Sequence, residues 1–120
     1  MAEHKPILFL IRPDTHPGRP EGWYCPDCAI VQGALAYYPQ LCEALDIRLV
    51  DFPRPRAAIV ALVGADHQGC PLLLLDPSQG PPEAPVVNGY RVLTENTKLI
   101  LDTLATLAPG VSRPGKGSLF

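Results

Sequence analysis

The sequence predicts an α/β domain. Three observations carry that reading. A continuous apolar run, Ile7-Leu8-Phe9-Leu10-Ile11, has the look of a strand covered on both faces, and a second one, Leu72-Leu73-Leu74-Leu75, repeats it. Between and after them lie stretches with apolar residues at helical spacing. The whole is 120 residues with 47% apolar and 18% charged residues, enough material for one core and the commonest size for one domain.

Taken in order, Pro6–Ile11 reads as the first strand. Arg12–Trp23 is a loop, punctuated by Pro13, Pro17, Gly18, Pro20 and Gly22. Ile30, Ala34, Leu35 and Tyr38 place a helix over Cys25–Tyr38, and Pro39 breaks it before a short second piece, Gln40–Leu45. The β-favouring residues around Ile47, Leu49 and Phe52 give a second strand, parallel to the first by a right-handed crossover. In Pro53-Arg54-Pro55-Arg56 the second proline suits a first helical position, and Ala58, Ile59, Leu62 and Val63 form a short helix ended by Gly64.

Pro71–Asp76 is the third strand. A Pro/Gly-rich excursion from Pro77 to Asn88 precedes the fourth, Gly89–Leu93. Thr94, Glu95 and Asn96 offer capping oxygens to a last helix with Ile100, Leu101, Leu104 and Leu107 on one face, stopped by Pro109. The expected order is β-α-β-α-β-β-α, a four-stranded mixed sheet flanked by helices. It forms a single domain over residues 1–108, followed by a flexible tail, 109–120.

A formal net charge of −2 supplies no basic stripe for nucleic acid and no polybasic segment for anionic lipid. No run approaches the roughly 18 apolar residues of a membrane span, and the first thirteen residues lack a secretory pattern. The expectation is a soluble, cytoplasmic protein. In a reducing compartment its four cysteines, Cys25, Cys28, Cys42 and Cys70, are thiols, redox groups or metal ligands rather than a disulfide framework. Cys42, beside Leu41 and Leu45, reads as a small buried hydrophobe. His4 and His16 read as exposed.

Cys25-Pro26-Asp27-Cys28 at a helix start is the strongest chemical signal. A thiol at a helix N-terminus meets unsatisfied N–H groups and the positive end of the dipole, both of which favour thiolate. Cys25 is therefore the expected nucleophile. Cys28, one turn along, is placed to resolve a mixed disulfide, and the carboxylate of Asp27 opposes the activation. A static, merely packed pair fits the same residues. So does a metal site, because Cys25, Cys28, His67 and Cys70 are of the types that zinc or an iron–sulfur cluster takes.

Three local features also resemble the thioredoxin-like superfamily, in particular glutaredoxins and the N-terminal domain of glutathione transferases. They are Cys25-Pro26-Asp27-Cys28 preceded by Trp23-Tyr24, then Gly69-Cys70-Pro71 leading into Leu72, and Leu93-Thr94-Glu95-Asn96 before Ile100. The chain is further similar to an uncharacterised group of small bacterial thioredoxin-like proteins. The resemblance spans about residues 6 to 108.

What it implies is a thiol–disulfide oxidoreductase or a glutathione-dependent relative, acting on a thiol or disulfide substrate that is glutathione or a protein. It also implies a cis peptide bond before Pro71, with Cys70 lying across from Cys25 to align the substrate. Arg54 and Arg56 would receive the glycine carboxylate of glutathione, and Glu95 with Asn96 its γ-glutamyl end. Those same residues equally fit solvated charge and helix capping. Trp23, Tyr24 and Tyr37 are either a docking patch for the substrate or a lid over apolar surface. Two departures stand out: the loop before Cys25 is longer than in glutaredoxins, and the all-helical second domain of a transferase is missing. A non-enzymatic metal-binding or partner-binding module on the same scaffold is the competing reading.

Overall fold

A computed structural model describes residues 5–115. Nine elements run along the chain: β1 Ile7–Ile11, α1 Pro26–Tyr37, α2 Gln40–Ala44, β2 Asp46–Val50, α3 Ala57–Val63, β3 Leu72–Leu75, β4 Val86–Val87, β5 Tyr90–Thr94 and α4 Thr97–Leu104, with a 3-10 turn at Ala65–His67. The strands form one mixed sheet in the order β2-β1-β3-β5-β4. β1 is parallel to β2 and antiparallel to β3, and β3 and β4 both run antiparallel to β5.

The two continuous apolar runs are the interior strands β1 and β3. Every residue in both is buried, so both faces of the sheet are covered. α1 contributes Cys28, Val31 and Leu35 to this core, and α4 contributes Ile100, Leu101 and Leu104; the two helices pack against each other. β2 is an edge strand with Arg48 and Leu49 exposed, which is why its alternation is imperfect in the sequence.

The sheet has five strands where four were expected. The fifth, β4, sits inside the Pro/Gly-rich excursion and pairs with β5 through Asn88-Gly89, whose φ angles of 50 and 83 are those of a tight hairpin turn. Asn-Gly between apolar residues was the legible signal for it. Arg91 organises the rest of the excursion: its guanidinium donates to Pro77 O at 2.6 Å, Ala84 O at 2.6 Å and Pro82 O at 3.1 Å.

α3 starts later than expected. Pro55 is not its first helical residue: the Arg54–Pro55 bond is cis, Arg56 is the extended N-cap, and helix begins at Ala57. The Arg56 N–H is held by Gln68 Oε1 at 2.6 Å, a partner from outside the helix that fixes its first turn. Gly64 ends α3 with φ 85, as the sequence indicated. α4 is capped by Asn96, which accepts the Leu99 N–H at 3.1 Å, whereas Thr94 finishes β5.

Beyond residue 108, Gln40 Nε2 donates to Pro109 O at 3.2 Å, and Val111 packs against the core. His4 and the last five residues, 116–120, lie outside the described residues. No helix among the described residues is long and apolar enough to cross a membrane.

Candidate functional site

Cys25 is the N-cap of α1. Its backbone is extended (φ −73, ψ 114), Pro26 takes the first helical position with its fixed φ and missing donor, and the Cys25 Sγ accepts the N–H of Cys28 at 3.1 Å. A sulfur thus does the work that a Ser or Asp oxygen does at other helix starts, and it sits at the positive end of the dipole. Asp27 is exposed in that first turn.

Cys28 lies one turn deeper and is buried. Burial, reinforced by its hydrogen bond to the Cys25 sulfur and by the nearness of Cys25 and Cys70, pushes the Cys28 thiol far above its ordinary range, against a backbone hydrogen bond from Ile11. At neutral pH the Cys28 thiol therefore keeps its proton. Cys70 is raised less, to about 11, chiefly by burial; Arg56 and Arg54 pull it down, while Cys25 and Glu95 push it up.

Four connections meet in a cavity of about 290 Å³ at this end of the sheet. Ile11, Trp23 and Cys25 line it from the β1–α1 connection. Phe52, Arg54 and Arg56 come from the β2–α3 connection, Cys70 from the turn before β3, and Glu95 from the link between β5 and α4. Six of the residues singled out in the sequence, Trp23, Cys25, Cys70, Arg54, Arg56 and Glu95, therefore share one cleft. The Cys70–Pro71 bond is cis. Pro71 is buried behind Cys70, and its carbonyl accepts the Glu95 N–H at 3.1 Å.

The remaining expected residues lie elsewhere. Asn96 spends its side-chain oxygen on the α4 cap, and the exposed Tyr24 is outside the cavity lining. Tyr37 is at the far end of α1, 83% exposed, beside a separate apolar groove of about 340 Å³ between α1, α4 and Val111–Pro114. His67 belongs to the 3-10 turn. Among the described residues, no group of three or more His, Cys, Asp or Glu side chains is gathered as a metal ion requires, so the four ligands suggested by the sequence do not converge. Cys42 is exposed rather than buried, and His16, read as exposed, is half-buried against Phe52.

Arg56 has a structural role that its sequence context hid. It is only 6% exposed, and its guanidinium donates to Phe52 O at 2.6 and 3.1 Å, to Gln68 O at 2.7 Å and to Asp51 O at 3.3 Å. It ties the end of β2 to the turn that carries Cys70. No ion pair among the described residues includes it. An Arg has five N–H donors, so one on each terminal nitrogen has no partner among the described residues, and this charged side chain lines the cleft. Gln68, which no pattern in the sequence marks, completes the brace by accepting the Arg56 N–H and donating to Ala65 O at 2.9 Å.

Glu95 reaches the cleft because of two backbone features. Its own φ is 58, a left-handed value rare outside glycine, and its side chain lies over Gly69, where an added Cβ would collide with Glu95 Cγ and Cδ.

The family described as "Protein of unknown function (DUF3088)" matches residues 5–111, which spans every element named above. The chain belongs to that family. The matched region contains the whole cleft, from Ile11 to Glu95, so the site lies inside the family's common segment. No curated protein and no solved structure matches the chain.

Proposed function

We propose that this protein has a thioredoxin-like fold and is a thiol–disulfide oxidoreductase acting on a small, glutathione-type thiol or its disulfides. The strand order β2-β1-β3-β5, with β1 and β2 parallel and the others antiparallel, supports the fold, and β4 is an added edge. The observation that carries the activity is the Cys25 sulfur at a helix N-cap, opening on a cleft that also holds two guanidinium groups and one carboxylate.

The cleft's charges match an amino-acid-type thiol. Arg54 and the free N–H groups of Arg56 receive a carboxylate, and Glu95 receives an ammonium group. Cys25 as thiolate attacks a sulfur of the substrate R–S–S–R′, forming Cys25–S–S–R and releasing R′–S⁻, which takes a proton from water. The sulfur of Cys25 is then uncharged, which removes the electrostatic part of the upward push on Cys28. Cys28 next attacks the Cys25 sulfur, passing its proton to the departing R–S⁻. The products are a Cys25–Cys28 disulfide and R–SH, so the protein dithiol is oxidised as the substrate disulfide is reduced.

Incubation of reduced protein with glutathione disulfide tests this. In Cys28→Ser, the expected result is one glutathione per chain, held on Cys25 and visible by intact mass. In the unaltered protein a Cys25–Cys28 disulfide should replace it, and Cys25→Ser should give neither. An unmodified Cys25 in both the unaltered protein and Cys28→Ser overturns the reading.

A further inference from the structure

The aromatic side of this cleft narrows the substrate, an inference that rests on the exchange chemistry proposed above. The β1–α1 connection is tied shut rather than loose. Asp14 N–H donates to Trp23 O at 2.6 Å, Trp23 N–H donates back to Asp14 Oδ1 at 3.0 Å, and Phe52 N–H donates to Thr15 Oγ1 at 2.9 Å. Gly22, at φ 109, lets this clasp close, since a Cβ there would stand 2.8 Å from Asp14 Oδ1. The clasp delivers Trp23 into the cavity wall two residues before Cys25.

Three rings meet there, and they are not equally free. Phe52 already has His16 stacked on it at 3.8 Å and 17°, and the Arg56 guanidinium lies 5.6 Å from its centroid. Trp23 meets His16 and Phe52 only edge to face, at 5.3 Å and 73° and at 5.1 Å and 79°. Among the described residues it has no parallel partner. Trp23 is therefore the ring in the cleft without a stacked partner, and it lines the cavity half-buried, with surface left for a ligand.

We propose that Trp23 is a specificity-determining platform, which selects disulfides carrying a planar aryl group on one sulfur and a charged, amino-acid-type group on the other. The charged half turns to Arg54 and Glu95. The Cys25 thiolate bonds to the sulfur of that half, the S–S bond breaks, and the aryl thiolate leaves and is protonated by water. Aryl thiols have lower pKa values than alkyl thiols, so the half stacked on Trp23 is also the faster leaving group.

The test uses single turnovers in the Cys28→Ser background, which retains the adduct, with two probes: the mixed disulfides of glutathione with 2-nitro-5-thiobenzoate and with 2-hydroxyethanethiol. Mass spectrometry follows glutathione arriving on Cys25. Trp23→Ala should slow the aryl probe about five-fold more than the alkyl probe, and Trp23→Phe should restore most of the difference. A readout without reaction is available because the chain has one tryptophan. In Cys25→Ser, S-phenylglutathione should change its fluorescence saturably and S-methylglutathione much less. Equal slowing of both probes in Trp23→Ala, or equal fluorescence changes, would make Trp23 a structural ring only and overturn the inference while leaving the exchange chemistry intact. Failure of Cys25 to take glutathione from either probe in protein with Trp23 present would overturn the exchange reading, and this inference with it.

Discussion

Two buried sulfurs three residues apart meet different partners. The Cys25 sulfur accepts an N–H at the helix start, and Cys28 is shut in the core with its proton held. Alkylation at neutral pH followed by peptide mapping should therefore leave Cys28 and Cys70 unmodified in the folded protein, while the exposed Cys42 is labelled. Rapid labelling of Cys28 in the folded state would contradict this placement. At this scale the sequence was partly legible. Cys25, Cys70, Arg54 and Glu95 were visible as residue types at telling positions, because motif and helix-start chemistry are local. Cys42 misled, because its apolar neighbours Leu41 and Leu45 are four apart on one helical face and it lies off that face; only Leu41 of the short α2 is buried. Arg56 misled in the other direction, since nothing in a sequence says that a charged residue will be buried.

At the scale of elements, the cleft depends on how its connections are held to one another. Arg56 bridges the end of β2 and the turn before β3 through three backbone carbonyls, and Arg56→Met removes those partners from a buried site. The expected cost is about 3 kcal/mol in urea denaturation, with Arg56→Lys recovering little, because an ammonium group does not span the same acceptors. A loss below about 0.5 kcal/mol would show the brace to be dispensable. Gly69 and Glu95 make a second joint. In Gly69→Ala the new methyl must displace an exposed, flexible glutamate rather than backbone, so stability should change by less than about 1 kcal/mol. Binding of S-methylglutathione by the same protein should weaken several-fold, and fall little for an analogue lacking the γ-glutamyl ammonium. Strands and helices were readable because periodicity reports burial. The joints were not, since they join residues far apart in sequence: Arg56 with Gln68, Thr94 with Gly69, Asp14 with Trp23. β4 was the exception, written locally as Val-Val-Asn-Gly-Tyr.

For the molecule as a whole, three of the four cysteines are buried at one end of a single core, and that has a consequence for stability in alkali. In the unfolded chain a thiol ionises near its ordinary value of 9.0, whereas Cys70 in the folded protein does so only at about 11. Between those values the unfolded state binds fewer protons than the folded one, so stability falls as pH rises. Cys28 acts in the same direction and extends the loss to still higher pH. Denaturation midpoints should be flat from pH 7 to 8.5 as far as Cys28 and Cys70 are concerned. They should then decline from about pH 9, with Cys70 alone contributing a loss on the order of 2 kcal/mol by pH 11. Cys70→Ala and Cys28→Ala should each make the decline between pH 9 and 11 shallower, and Cys28→Ala should also remove the part that continues beyond it. Because Arg56 and Arg54 are what hold the Cys70 value down, Arg54→Gln, the exposed member of the pair, should carry the decline to higher pH without lowering stability at pH 7. An identical alkaline profile in the unaltered protein and Cys70→Ala would mean that this thiol is not sealed from water when the cleft is empty. The barrier between the cleft and the core would then have to lie behind Cys70 rather than at it.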